Sequence, residues 1–287
     1  MIKVEKLKKY YGKHKGIENI SFSVKEGEIY GLIGPNGSGK TTTIRILTGL
    51  LKNDSGEAFI RDFKMPDKID NIKKDLGYLP GEVNYYSDMR VKDLISFNRN
   101  FYKNIDIAYE KNIIDNLQID VNKKFKELSM GNKKKVGILQ TFVHKPKYLI
   151  LDEPTNGLDP LLQQKLYDMI KKEKEKNNTI LFSSHNLSEV EKICDRVGIL
   201  KEGEVIKEYE VDDLINYTNK LITIYGLKNS GDFKKRYKNS TNPDGSITFD
   251  IVKEDFKRFL NEVSSQDFID LEMEKPKLED VFIEYYK

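Results

Sequence analysis

One stretch constrains this chain more than any other: Gly34-Pro35-Asn36-Gly37-Ser38-Gly39-Lys40-Thr41, which fits the pattern G-x-x-x-x-G-K-[ST]. Residues 28–33 (EIYGLI) before it form a nearly continuous apolar run of buried-strand type. After it, residues 41–51 carry Ile44, Leu47 and Leu51 at helical spacing, with Ile46 and Leu50 alongside. A loop between such a strand and helix turns its main-chain N–H groups inward as an anion nest. Glycine lets that backbone approach phosphate with no Cβ in the way. Lys40 then neutralises the β- and γ-phosphates, and the Thr41 hydroxyl ligates Mg2+. A chance lysine in a glycine-rich turn would not bring this flanking strand and helix with it.

The rest of the first 210 residues alternates in the same way. Residues 17–24 have Ile20, Phe22 and Val24 at a period of two, the pattern of a half-buried strand. Residues 88–145 read as helical, with segments at 91–101, 107–117 and 132–143. Residues 148–151 (YLIL) and 179–182 are short buried-type strands, and a helix follows Pro160. Strands alternating with helices imply a mainly parallel sheet covered on both faces, an α/β fold. Beyond 210 the texture shifts to alternating strands at 220–225 and 246–252, a turn at Asn242-Pro243-Asp244-Gly245 and an amphipathic helix at 253–263. The expected division is therefore 1–210 and a small α+β domain at 211–287.

Composition narrows the function classes. In 287 residues, 49 basic and 46 acidic side chains leave a net charge of +3, so no strong field recruits polyanions. The single cysteine, Cys194, excludes an intrachain disulfide framework. The basic opening stretch lacks the apolar core of a secretory signal. No apolar run nears the roughly 18–20 residues that span a bilayer. A soluble, cytoplasmic protein is expected, with any membrane role supplied by a partner.

Three further constellations carry chemistry. Asp152 and Glu153 follow the 148–151 strand, so they sit at its carboxyl end, where ligands bind in open α/β sheets. Asp152 is placed to hold Mg2+ and Glu153 to polarise an attacking water; alone, the pair reads equally well as a cap before Pro154. Ser129, in Leu128-Ser129-Met130-Gly131-Asn132, reads as a helix N-cap, and the same geometry recognises a phosphate. His185 ends the strand at 179–182 and lies along the same edge. Lys133-Lys134-Lys135 reads as a solvated helix face.

The order GPNGSGKTT, LSMGN, YLILDEPTNGLDP, SSH resembles the ATP-binding subunit of an ABC transporter over residues 1–208. That resemblance implies a P-loop NTPase with an antiparallel β subdomain and a helical subdomain. Gly34, Pro35, Asn36, Gly37, Ser38, Gly39, Lys40, Thr41 and Thr42 would form its Walker A loop around Mg·ATP. Lys40, Glu153 and His185 would serve catalysis, and Tyr11 would stack on adenine or else be an ordinary strand tyrosine. Ser129 and Gly131 would contact the γ-phosphate held by a second subunit, with Asp159 in the loop that crosses the dimer interface. An integral-membrane permease would be the other partner, holding the subunit at the inner face of the membrane. No nucleic acid is expected, although soluble relatives acting on DNA or ribosomes, and a nucleotide sensor with little turnover, are the rival readings. Two departures stand out: Met130 and Asn132 replace the common glycine and glutamine of the signature. Gly81 replaces the glutamine that normally touches Mg2+, and Glu82 is either a substitute oxygen ligand or a solvated acid. The stretch 276–282 (PKLEDVF) resembles the tail of exporter ATPases with a separate permease.

Overall fold

A computed structural model describes residues 1–213, 220–228 and 231–274. The chain divides into two compact units, Met1–Tyr209 and Glu210–Lys287.

The first unit opens with a hairpin, β1 (Ile2–Tyr11) and β2 (His14–Val24), whose alternating buried residues include Ile20, Phe22 and Val24. Next come β3 (Ile29–Ile33), α1 (Lys40–Leu47), β4 (Ser55–Ile60), β5 (Phe63–Met65), α2 (Ile69–Ile72) and β6 (Leu76–Leu79). The helical region follows, as α3 (Val91–Arg99), α4 (Ile107–Leu117) and α5 (Met130–Phe142). The unit closes with β7 (Tyr148–Asp152), α6 (Pro160–Glu175), β8 (Thr179–Ser184), α7 (Leu187–Ile193), β9 (Arg196–Lys201) and β10 (Glu204–Glu210).

These strands form one sheet in the order β5-β4-β1-β2-β10-β9-β3-β8-β7-β6. From β9 to β6 the pairing is parallel, and among β1, β2, β4 and β5 it is antiparallel. Every residue of β3, β7 and β8 is buried, as a parallel strand covered on both faces requires. Each buried Ile or Leu there contributes about 1.5–3 kcal/mol relative to exposure. The expected α/β fold with antiparallel and helical additions is what the chain adopts. Side-chain caps fix the starts of α4 and α6: Asp106 accepts from Tyr109 N–H, and Asp159 accepts from Leu162 N–H just ahead of Pro160.

In the second unit the elements are β11 (Lys220–Tyr225), α8 (Gly231–Arg236), β12 (Lys238–Thr241), β13 (Ile247–Ile251), α9 (Phe256–Val263) and β14 (Asp270–Glu274). The antiparallel order β12-β13-β11-β14 with helices after β11 and β13 is a split βαβ arrangement. Ile222, Ile224, Phe249 and Phe259 make its core. The 276–282 stretch lies outside the described residues.

Candidate nucleotide site

Register brings the site together at one edge of the parallel sheet. β8 lies between β3 and β7, pairing Ile33 with Ser184 and Ser183 with Asp152. The loop after β3, the acids at the end of β7 and His185 after β8 therefore emerge side by side.

In the loop, Gly37 and Gly39 adopt φ of 82° and 111°, a region that L side chains rarely enter. Gly34 is needed for a different reason: a Cβ there would lie 2.4 Å from the Leu200 carbonyl oxygen and 2.6 Å from Ser38 Oγ. Lys40 Nζ donates to the carbonyls of Gly34 at 2.6 Å and Pro35 at 3.3 Å, and lies 3.2 Å from Glu153 Oε1. The ammonium is almost fully buried, so these acceptors offset its desolvation. A cleft of about 300 Å3 is lined by Tyr11, by Asn36 through Thr42, and by Glu153. Tyr11 is half-exposed at its mouth, its hydroxyl 3.4 Å from Thr42 Oγ1.

On the other side, Asp152 is buried and its Oδ1 accepts from Ser183 Oγ at 2.7 Å. Ser183 Oγ in turn accepts from the Glu153 N–H at 3.0 Å. Glu153 Oε2 lies 2.8 Å from His185 Nδ1. One carboxylate thus bridges Lys40 and His185. A larger adjoining cleft of about 680 Å3 is lined by Thr41, Gly81, Glu82, Asp152 and Glu153, with Arg45 and Tyr78. Burial and the Asp152 carboxylate push the Tyr78 hydroxyl up to about 12.

Among the described residues no group of three or more His, Cys, Asp or Glu side chains is arranged to hold a metal. Magnesium seldom takes an all-protein cage; it pairs one or two carboxylates with substrate phosphates. The hard oxygens of Thr41, Asp152 and Glu82 around one cleft fit that requirement.

Ser129 and Asp159 lie elsewhere, on neither cleft. Ser129 is exposed and caps α5, accepting from Asn132 N–H; Asp159 is exposed and caps α6. Gly131 packs so closely that a Cβ would sit 2.8 Å from the Gly157 carbonyl oxygen. The larger cleft reaches Met130 of the Ser129 turn, but neither Ser129 nor Gly131 of the same chain lines either cleft.

The Lys133–Lys135 expectation needs correction. Lys134 is 2% exposed, not solvated. Its Nζ donates to the carbonyls of Pro80 at 3.0 Å, Gly81 at 2.8 Å and Glu153 at 3.1 Å. Burial pulls its ammonium down to about 8, against the opposing pull of Asp152 and Glu153. Neighbouring Lys133 is half-buried, 5.4 Å from the centre of the Phe125 ring. No signal in the run of lysines distinguishes the middle one, because its acceptors come from distant parts of the sequence.

Comparison with known proteins supplies the family. The model of the family described as ABC transporter matches residues 17–156. An uncharacterised ABC transporter ATP-binding protein of Methanocaldococcus jannaschii is 39% identical over 221 residues, 74% of this chain and 79% of that protein. This chain belongs to the ABC transporter family. It carries that family's ATPase cassette, the unit that binds and hydrolyses ATP. The bacitracin transport ATP-binding protein BcrA of Bacillus licheniformis is 40% identical over 223 residues, 75% of this chain and 71% of BcrA. A solved ATP-binding subunit of an ABC transporter, 29% identical, superposes with a TM-score of 0.69 over 75% of this ABC ATPase and 91% of that chain.

Proposed function

We propose that this ABC ATPase drives export through a separate membrane permease, using a pair of cassettes that clamp Mg·ATP between them. The observation that carries the reading is the Lys40–Glu153–His185 chain of contacts at the mouth of the phosphate loop. Main-chain amides at 34–41 and the Lys40 ammonium bind the triphosphate. Thr41 and Asp152, with Glu82 in reach of the same cleft, would hold Mg2+, which would supply positive charge against that building on the phosphate oxygens. An incoming γ-phosphate competes with Glu153 for Lys40 and so leaves the carboxylate to polarise the attacking water. His185 holds the far oxygen of Glu153 and aligns it. Tyr11, at the entrance, stacks on the base.

Ser129, Gly131 and Asp159 stand off this cleft, and a second cassette related head to tail would bring its own copies of them to the phosphate. One surface feature supports a membrane partner. Tyr86, Phe97 and Phe101 form an exposed edge-to-face aromatic run on the helical region, a surface that a permease loop would cover. BcrA, by its name, serves bacitracin transport. The export direction rests on the resemblance of the 276–282 tail, and the 211–287 unit is proposed as an accessory domain. Steady-state phosphate release tests the core of the reading. Glu153→Gln is expected to lose turnover by more than about a hundredfold while keeping ATP affinity. Unchanged turnover in that variant removes Glu153 from the chemistry, whereas background turnover in the parent with full ATP binding makes the chain a sensor.

A further inference from the structure

The backbone at Glu153 is held in an unusual state. Its φ is 44°, in the left-handed region, where a residue with a side chain sits at a cost. Two side chains hold the peptides on either side of it: Ser183 Oγ accepts from the Glu153 N–H at 3.0 Å, and Lys134 Nζ donates to the Glu153 carbonyl at 3.1 Å. The same ammonium reaches the carbonyls of Pro80 and Gly81 in the loop after β6. An ammonium has three donors, and here each has a carbonyl.

Resting on the assignment of Glu153 as the water-polarising acid, we propose that Lys134 is a positioning residue for hydrolysis. It is a buried cationic clip that fixes the Glu153 backbone and the loop at 80–81 to the first turns of α5. Burying an ammonium is expensive, and an apolar side chain would fill the same space at lower cost if packing were the only need. The contacts therefore point to control of geometry. Gly81 contributes no side chain to the acid pair; even an added Cβ would meet only the Asp152 carbonyl oxygen at 3.7 Å and Oδ2 at 3.9 Å. Coupling between this loop and Glu153 runs instead through Lys134. The helix that carries Lys134 also presents Ser129 at its exposed N-terminus. A shift of α5 moves the ammonium, and with it the Glu153 carbonyl that the ammonium holds. Contact at the Ser129 turn is thereby transmitted to the carboxylate.

The test uses the full chain with Lys134→Met, which keeps length but loses charge and donors, Lys134→Gln, and the charge-retaining Lys134→Arg. Steady-state phosphate release and equilibrium Mg·ATP binding are measured for each, alongside thermal unfolding. Both neutral variants are expected to lose kcat by about ten- to a hundredfold with ATP affinity within about twofold of the parent, and Lys134→Arg to recover part of that loss. A neutral variant with parental kcat overturns the proposal while leaving Glu153→Gln free to succeed. Equal losses of kcat and ATP binding overturn it too, as does failure of both neutral variants to fold, since either result makes Lys134 a packing element. If Glu153→Gln itself hydrolyses normally, it is the assignment of Glu153 that fails, and the clip has no acid to position.

Discussion

Ser183 is the least conspicuous member of the site and the one with the most exacting geometry. Fully buried, its single hydroxyl donates to Asp152 and accepts from the Glu153 N–H. Removing it leaves a buried N–H without its acceptor, at a cost of about 1–3 kcal/mol. Ser183→Ala is expected to lower the urea midpoint by an amount of that order and to reduce turnover together with it; unchanged stability and turnover would contradict the clamp. What was readable beforehand is where most of these side chains lie. Lys40, Asp152, Glu153 and His185 were identifiable because their motifs lie next to the strands that place them. Lys134 was not. Its acceptors lie 54, 53 and 19 positions away in sequence, and a lysine between two others carries no mark of burial. Nor did any pattern announce that Glu153 would take a positive φ, since that state is imposed by its neighbours.

Among elements, the deciding fact is that β8 inserts between β3 and β7, so that one hydroxyl-bearing strand end separates the phosphate loop from the acids. Gly34 closes the end of β3 against β9, where the Leu200 carbonyl leaves no room for a side chain. Gly34→Ala is expected to displace the loop and cost at least about tenfold in ATP affinity, read by equilibrium titration; parental affinity would show that the loop tolerates the shift. Helices at 91–101, 107–117 and 132–143 were legible within a few residues, because apolar periodicity marks all three and side-chain caps at Asp106 and Ser129 mark the starts of two. Strand order was not, since nothing in the sequence tells a parallel strand which neighbours it takes. In the second unit, β12 and β14 went unread: β12 is a short, polar edge strand, and β14 is an edge strand with alternate acids. Without them the split βαβ arrangement stayed hidden behind a generic α+β reading.

At the scale of the molecule, Ser129 and Gly131 of one cassette line neither of its own phosphate clefts, so a lone chain is expected to turn over poorly. Glu153→Gln with saturating Mg·ATP should double in mass on size exclusion with light scattering, because bound nucleotide is not consumed and the pair stays closed. A variant that remains monomeric under those conditions would argue against head-to-tail pairing.

Turnover by this cassette depends on the triphosphate being held by the amides at 34–41 and the buried Lys40 ammonium. Equilibrium binding of Mg·ATP to Lys40→Ala is the most direct measurement of that claim. The expected result is a loss of affinity of at least about a hundredfold in a protein that still unfolds cooperatively, the effect of removing a buried charge-assisted contact. A Lys40→Ala protein that binds Mg·ATP as tightly as the parent would contradict the claim.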